Sequence, residues 1–230
     1  MTLLADATVD AAVFALRSDY RAMLIVAEGV RGGPSDAASE ALLARAESAG
    51  VAPEHPHLEA WREAFRQFGA NPRKTRPSAD ALVRRISTEP ALVRRASSGL
   101  PRIDRITDTY NAISVLHAIP TGGEDLDAYS GPLRLTRAVG DEPFDTIADG
   151  QPVTEHPLPG EVVWRDDLGI TCRNWNWRQC VRTRLSESTE RAIFIFDALE
   201  PIGDDELEAI GDELVEALQP AAVQRRVLSS

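Results

Sequence analysis

The chain has 230 residues, of which 43% are hydrophobic and 27% are charged, so it is long enough for one large domain with a packed core. No hydrophobic run approaches the ~20 residues of a membrane-spanning helix, and the N-terminus has neither the basic start nor the hydrophobic stretch of an export signal. The cysteines are Cys172 and Cys180, too few for a disulfide framework. We therefore expect a cytoplasmic protein with no membrane partner.

The net charge of -11 is unevenly distributed along the chain. From Arg62 to Arg105 there are eleven Lys and Arg residues and four acidic ones, and from Arg173 to Arg184 there are four arginines and no acidic residue. Basic segments on an acidic body can bind a phosphate backbone locally. They can also be solvated helix faces, and composition alone favours this second interpretation.

The first half of the chain predicts strands followed by helices. Two short hydrophobic runs, Val13–Leu16 and Ala22–Ala27, are typical of buried strands. Ser35 is the predicted N-cap of a helix over residues 37–46. Hydrophobic residues at helical spacing predict further helices over residues 57–68, from Ser78 onward, and over residues 104–117.

After Pro120 the hydrophobic runs shorten, which predicts strands over residues 133–137, 161–164, 169–172 and 192–196. Asp166–Gly169 is a predicted hairpin turn, and residues 204–218 are a predicted amphipathic helix. This order of elements predicts an α+β fold in which a β-sheet is covered by helices. We expect a single compact domain over residues 11–220, between an N-terminal extension at 1–10 and a flexible tail at 221–230.

The common catalytic signatures are absent from the sequence. It contains no phosphate-binding loop and no Gly-x-Ser-x-Gly motif. The histidines do not have metal-ligand spacing with the cysteines, so neither a metal nor a cofactor is expected. Cys172 could act as a nucleophile, but a small buried strand residue is the favoured interpretation.

Two polar residues of the segment Gly99–Asn111 are candidates for ligand binding. Asp108 and Asn111 are three residues apart, so on a helix they lie on one face and can reach one ligand together. They can equally cap or brace the neighbouring backbone.

The segment Cys172–Arg178 combines tryptophans with arginines. In an extended chain Trp175 and Trp177 would point the same way and form an aromatic wall on which unpaired bases can stack. The arginines beside them suit phosphate. The alternative, slightly favoured by the composition, is that both tryptophans belong to the core and the arginines cover it.

Several segments occur in an order that is typical of a known family. They are Asn71–Ser78, Arg76–Arg85, Gly99–Asn111, Gly122–Asp127, Pro159–Val163 and Cys172–Arg178. Taken together they resemble the B3/B4 domain, the tRNA-editing domain of the phenylalanyl-tRNA synthetase beta chain, and its free-standing relatives. The family motifs read Val-Asp-x-Thr-Asn-Tyr, Gly-Gln-Pro-Leu-His-Ala-Phe-Asp and, in free-standing relatives, Cys-Arg-x-Trp-Asn-Trp-Arg. The resemblance extends over roughly residues 10–200.

The resemblance implies a B3/B4-like fold and hydrolysis of wrongly aminoacylated tRNA. A free-standing copy would be a trans-editing aminoacyl-tRNA deacylase with tRNA as its partner. No metal or nucleophilic side chain would be required, because an aminoacyl ester is already activated and the terminal hydroxyl of the tRNA can assist. Two alternatives stay open: a non-catalytic module that binds an amino acid, nucleotide or RNA, and an interaction domain that keeps only the fold.

The resemblance also assigns site residues. Asn111 matches the pocket asparagine and Glu124 stands where the family has a pocket histidine, so both are catalytic candidates and the tyrosine specificity of the family is not carried over. Glu124 could hold an ammonium group, act as a base or lie in a surface turn. Further substrate-binding candidates are Asp108, Asp127, Arg173, Trp175, Asn176, Trp177 and Arg178. The RNA-binding candidates are Arg73, Lys74 and Arg76.

Overall fold

The computed structural model describes residues 3–87 and 99–230. Its α-helices are α1 (Leu3–Asp6), α2 (Ala11–Phe14), α3 (Ala37–Ser48), α4 (Pro56–Gln67), α5 (Ser78–Ile86), α6 (Arg105–Leu116) and α7 (Asp204–Leu218). Its strands are β1 (Thr8–Val9), β2 (Arg21–Glu28), β3 (Thr121–Asp125), β4 (Arg134–Arg137), β5 (Phe144–Ala148), β6 (Gln151–Glu155), β7 (Val162–Arg165), β8 (Ile170–Arg173), β9 (Arg178–Gln179), β10 (Arg191–Ala198) and β11 (Ala222–Leu228). Within these two ranges, no helix has the length and apolar character needed to span a membrane.

The strands form two larger sheets and one separate hairpin. The four-stranded sheet is antiparallel with the order β11-β2-β10-β3, and β2 pairs with β10 from Arg21 opposite Ala198 to Glu28 opposite Arg191. The five-stranded sheet has the order β1-β4-β7-β8-β9 and contains one parallel pair, β1 with β4. Strands β5 and β6 form the hairpin. In the four-stranded sheet, β3 is therefore an edge strand.

Both faces of the four-stranded sheet are covered. Successive side chains of a strand point to opposite faces, so Leu24 and Val26 of β2 belong to one hydrophobic cluster and Met23 and Ile25 to another. The second cluster contains residues of α6 and α7, and the first contains residues of the five-stranded sheet such as Leu135. The predicted α+β fold with helices on a sheet is confirmed, and a second sheet covers the other face.

Most predicted elements are present, with ends that agree to within a few residues. They are α3, α4, α5, α6, α7, β2, β4, β7, β8 and β10. The prediction of a strand at Val13–Leu16 is wrong, because α2 and a following turn occupy these residues. A four-residue hydrophobic run is compatible with either structure, and of α2 only Val13 is fully buried.

The N-cap of α3 also differs from the prediction. Asp36, and not Ser35, caps the helix, since its carboxylate accepts hydrogen bonds from the backbone N–H groups of Ala38 (3.0 Å) and Ser39 (2.9 Å). A carboxylate also interacts favourably with the positive N-terminal end of the helix dipole.

The C-terminal segment is a strand, so the prediction of a flexible tail at 221–230 is wrong. Strand β11 pairs with β2 along its whole length and buries Leu228. It occupies what would otherwise be the unpaired edge of β2. Several consecutive polar residues make this strand difficult to recognise from the sequence. In the structure, the Arg225 guanidinium donates a hydrogen bond to Glu208 (2.5 Å) on α7. Within the predicted extension at 1–10, Thr8 and Val9 form β1 against β4.

Candidate functional site

A pocket with a volume of about 130 Å³ lies between the two sheets, beside the edge strand β3. Strands β3 and β10 contribute to one side of it and β7 and β8 to the other, and residues of α5, α6 and the turn after β8 complete its wall. The predicted site residues that line it are Asn111, Glu124, Trp175, Asn176, Trp177 and Arg178. The fold thus brings together the two segments that the sequence analysis selected.

The geometry of the four-stranded sheet positions the polar residues of the pocket. Gly122 and Glu124 are two residues apart on β3, as are Ile195 and Asp197 on β10, so each pair shares a face of the sheet. The register places Gly122 directly opposite Ile195. Because β3 is the edge strand, α6 can place Asn111 in the same pocket from beside the sheet.

Glu124 is buried in the pocket wall and half of its carboxylate is unpaired. Its Oε2 accepts hydrogen bonds from the Tyr129 hydroxyl (2.7 Å) and the Thr183 hydroxyl (2.6 Å). Its Oε1 is buried and has no hydrogen-bond partner among the described residues. Burial raises the pKa of Glu124, while the hydroxyl groups of Thr183, Tyr129 and Thr171 act in the opposite direction. The residue is not in a surface turn and can offer one oxygen to a ligand.

Asp197 is a second buried carboxylate in the pocket, and the sequence analysis did not select it. It accepts hydrogen bonds from the Tyr20 hydroxyl (2.5 Å) and from Nδ2 of Asn176 (3.3 Å). Burial raises the pKa of Asp197 to about 7. A signal was present in the sequence, because an aspartate that directly follows the hydrophobic run of β10 is unusual for a buried strand.

Two amides complete the polar lining. The hydrogen bond to Asp197 fixes the orientation of the Asn176 amide, and its Oδ1 is buried without a partner in the described part of the chain. The side chain of Asn111 is 8% exposed and makes no hydrogen bond within residues 3–87 and 99–230. Asn111 is therefore free to bind a ligand, whereas Asp108 is not, since it braces the backbone before α6.

The turn after β8 differs from the extended chain that the aromatic-wall hypothesis required. Asn174 and Trp175 have φ angles of 46° and 67°, so the two tryptophans do not alternate along a strand. Trp175 is fully buried, with ring centroids 5.0 Å from Tyr20 and 5.1 Å from Trp61. The aromatic-wall hypothesis, the less favoured of the two interpretations, is therefore wrong. The alternative interpretation, a position in the hydrophobic core, holds for Trp175, whereas Trp177 is only partly buried.

Arg173 and Arg178 have different roles. The Arg173 guanidinium makes two hydrogen bonds to Glu161, at 2.9 and 2.8 Å, and one to Glu155 (2.8 Å), so it braces the turn and is not part of the pocket wall. Arg178 lines the pocket and lies 4.8 Å from the centroid of the Trp177 ring. Its Nη2 forms an ion pair with Glu155 (2.5 Å), and its Nε is buried and unpartnered among the described residues. Arg178 can therefore still bind a carbonyl, carboxylate or phosphate oxygen.

Two further substrate-binding candidates lie outside the pocket. Asp108 is fully buried and accepts hydrogen bonds from the backbone N–H of Ile103 (2.9 Å) and from the Ser35 hydroxyl. Asp127 is exposed and forms an ion pair with Arg191 (2.5 Å). Both residues match family motifs, but their contacts here are structural.

The basic segment before α5 leads directly to the pocket. Arg73 and Lys74 are exposed, and Arg76 makes a long contact to Asp80 (3.4 Å). Ser78, at the start of α5, lines the pocket, and its backbone N–H donates to the Asn176 carbonyl (3.1 Å). The candidate RNA-binding residues therefore precede the pocket wall by only a few positions. The rest of the basic stretch includes residues 88–98, which lie outside the described ranges.

The side chains in the described ranges give little support to metal binding or to catalysis by a cysteine thiolate. No three His, Cys, Asp or Glu residues of these ranges cluster in a way that could hold a metal ion. Cys172 lines the pocket, but burial raises the pKa of its thiol well above the ordinary value, which disfavours the nucleophilic thiolate.

The raised pKa of Asp197 predicts a pH-dependent stability. Its folded-state pKa of about 7 exceeds that of an unfolded chain, about 4, so between these values the folded protein binds the additional proton and its stability falls as pH rises. We expect the free energy of unfolding of the wild type to fall from pH 5 to pH 8 by about 2 kcal/mol more than that of Asp197→Asn. Urea denaturation measures this difference. The exposed Asp149→Asn is the control, and parallel pH profiles for wild type and Asp197→Asn would refute the prediction.

Comparison with known proteins places this pocket in a family. The chain is similar to an N-terminal fragment of the phenylalanyl-tRNA synthetase beta-subunit from Pyrococcus horikoshii, with 12% identity and a TM-score of 0.46 over 96% of this chain and 50% of the fragment. It thus spans half the length of that fragment. No curated protein matches the sequence. The B3/4 domain model matches residues 60–206, which include every residue of the pocket wall, and the chain therefore belongs to the B3/4 domain family.

Proposed function

We propose that the protein hydrolyses the ester bond of a mischarged aminoacyl-tRNA. This proposal rests on three polar groups of one small pocket that have no hydrogen-bond partner in the described ranges. They are Oε1 of Glu124, Oδ1 of Asn176 and the amide of Asn111. Buried polar groups are normally satisfied, so such a set indicates a ligand site. The resemblance to a tRNA-editing domain suggests an aminoacyl ester as this ligand.

The reaction would need few protein groups. Water adds to the ester carbonyl carbon, negative charge develops on the carbonyl oxygen, and the bond to the ribose oxygen then breaks, which releases the amino acid and a tRNA with a free hydroxyl. The amide N–H of Asn111 can donate to the developing oxyanion. Glu124 either accepts a proton from the water or holds the ammonium group of the substrate. The terminal hydroxyl of the tRNA can assist in positioning the water.

The RNA part of the substrate would lie outside the pocket, because a nucleotide is too large for about 130 Å³. Trp177 and Arg178 stack at the pocket wall, and such a pair can bind a terminal base and its phosphate. Arg73 and Lys74 are exposed, precede Ser78 of the pocket wall by a few positions in the chain, and can contact the phosphate backbone.

One observation favours a second candidate function, the binding of a free amino acid. The unpartnered Nε of Arg178 suits a carboxylate, which a free amino acid has and an aminoacyl ester lacks. A pure binder of this kind would bind amino acids and release none from tRNA.

The release of amino acid from a panel of misacylated tRNAs tests the main proposal. We expect the wild type to hydrolyse at least one ester, and Asn111→Ala to reduce kcat/KM by about 100-fold through the loss of an oxyanion donor. Glu124→Gln should also reduce it, since it removes the charge of the carboxylate but keeps its shape. The matched control is Glu63→Gln on the exposed face of α4, which should act as the wild type.

Two results would contradict the main proposal. One is the survival of every ester in the panel when the folded protein is present in excess over the tRNA. The other is a turnover that Asn111→Ala and Glu124→Gln leave unchanged, because the activity would then arise elsewhere.

The basic segment generates a separate prediction for tRNA affinity. The double variant Arg73→Ala/Lys74→Ala should raise KM for the tRNA with little change in kcat. It should also reduce the slope of log Kd against log salt by about 1.5, as expected for the loss of two phosphate contacts. Filter binding at several salt concentrations measures the slope. Arg134→Ala on β4 removes a positive charge away from the pocket and is the control, and equal slopes for all proteins would exclude Arg73 and Lys74 as contacts.

A further inference from the structure

The unpaired atoms at the inner wall of the pocket include two hydrogen-bond acceptors with fixed orientation. Glu124 Oε2 is held by two hydroxyl donors, which leaves Oε1 as the free oxygen. Asn176 donates its Nδ2 to Asp197, which leaves Oδ1 as its free atom. Both free atoms are buried and both residues line the same pocket. A ligand that satisfies both must donate at least two hydrogen bonds.

A protonated amino group meets this requirement. It carries three N–H donors and a positive charge, which the carboxylate of Glu124 would balance. A hydroxyl group has only one donor and cannot bond to both oxygens at once. Water and a primary amide also have two donors but carry no charge, so the carboxylate favours the α-ammonium group of an aminoacyl ester.

The volume of the pocket limits the size of the group attached to this amine. A cavity of about 150 Å³ binds a benzene molecule, whereas this pocket has about 130 Å³ in which the amine must also fit. Its walls include Trp164 and Trp175, which are fully buried and packed, so enlargement would require repacking of the core. The space suits an alanyl, glycyl or seryl group better than a phenyl or phenol ring.

We propose that the pocket is selective for small aminoacyl groups, with the α-ammonium bound between Glu124 Oε1 and Asn176 Oδ1. This inference rests on the proposed function for its ester substrate, and it narrows that substrate to a class. Selectivity arises from two separate features, the acceptor pair for the charged amine and the fixed walls for the small side chain.

A binding experiment without turnover separates this inference from the proposed hydrolysis. The probes are alaninamide, phenylalaninamide, which adds a ring, and propionamide, which lacks the ammonium group. We expect calorimetry to give a Kd for alaninamide at least tenfold lower than for either of the others. Glu124→Gln should remove the preference for alaninamide over propionamide.

Gly122→Ala provides a second variant that tests the volume. A Cβ at this position would meet only the side-chain amide of Gln179, at 2.9 Å, and Gly122 does not have a left-handed φ, so the fold should tolerate the change. The added methyl group should weaken alaninamide binding more than it weakens the binding of glycinamide. Equal weakening of both probes would contradict a closely fitting subsite.

The outcomes distinguish the two proposals. Selective binding of alaninamide together with survival of all esters would support the subsite and refute the hydrolase. Hydrolysis of phenylalanyl and tyrosyl esters in preference to alanyl and seryl esters would refute the subsite and support the hydrolase. Phenylalaninamide or propionamide that binds as tightly as alaninamide would overturn the inference, as would the absence of binding by all three.

Discussion

The pairing of β2 with β10 is the constraint on which the rest of the structure depends. The two strands form the centre of the four-stranded sheet and are buried on both faces, and the pocket lies beside the edge strand β3. At the end of this pairing, Asp197 accepts hydrogen bonds from Tyr20, which precedes β2, and from Asn176 in the turn after β8. One buried carboxylate thus connects the central strands to the pocket wall and fixes the orientation of an amide in that wall.

The pocket is lined by polar groups that are buried but form only part of their possible hydrogen bonds. A buried carboxylate is stable only with donors around it, and Glu124 receives two hydroxyl donors on one oxygen while the other has none in the described ranges. Glu161 is the opposite case, since Arg173 and the Asn174 backbone N–H satisfy it and hold the turn that carries Trp175. Complete pairing is typical of a structural group, and the proposed binding role of Glu124 rests on its incomplete pairing inside the pocket.

The sequence predicted the parts of the fold that depend on local periodicity and missed those that depend on tertiary pairing. The spacing of hydrophobic residues was sufficient for α4 and α6, and β10 was evident from its hydrophobic run. Strand β3 contains Thr-Gly-Gly-Glu-Asp, which has low strand propensity and is extended because β10 pairs with it. The family resemblance located Asn111 and Glu124 in the pocket, but it could not show that Trp175 adopts a positive φ and turns into the core. It also selected Asp108, whose motif position fits but whose carboxylate is used by the backbone of Ile103.

The proposed function requires this pocket to hold the aminoacyl end of an RNA. The most direct measurement is a crystal structure with an adenosine that carries an alanyl group on its 3′ position through a non-hydrolysable amide. We expect the alanyl group in the pocket, its ammonium within hydrogen-bond distance of Glu124 and Asn176, and the adenine outside the pocket near Trp177 and Arg178. An empty pocket at saturating ligand, or the adenine bound in place of the alanyl group, would contradict the proposed binding mode.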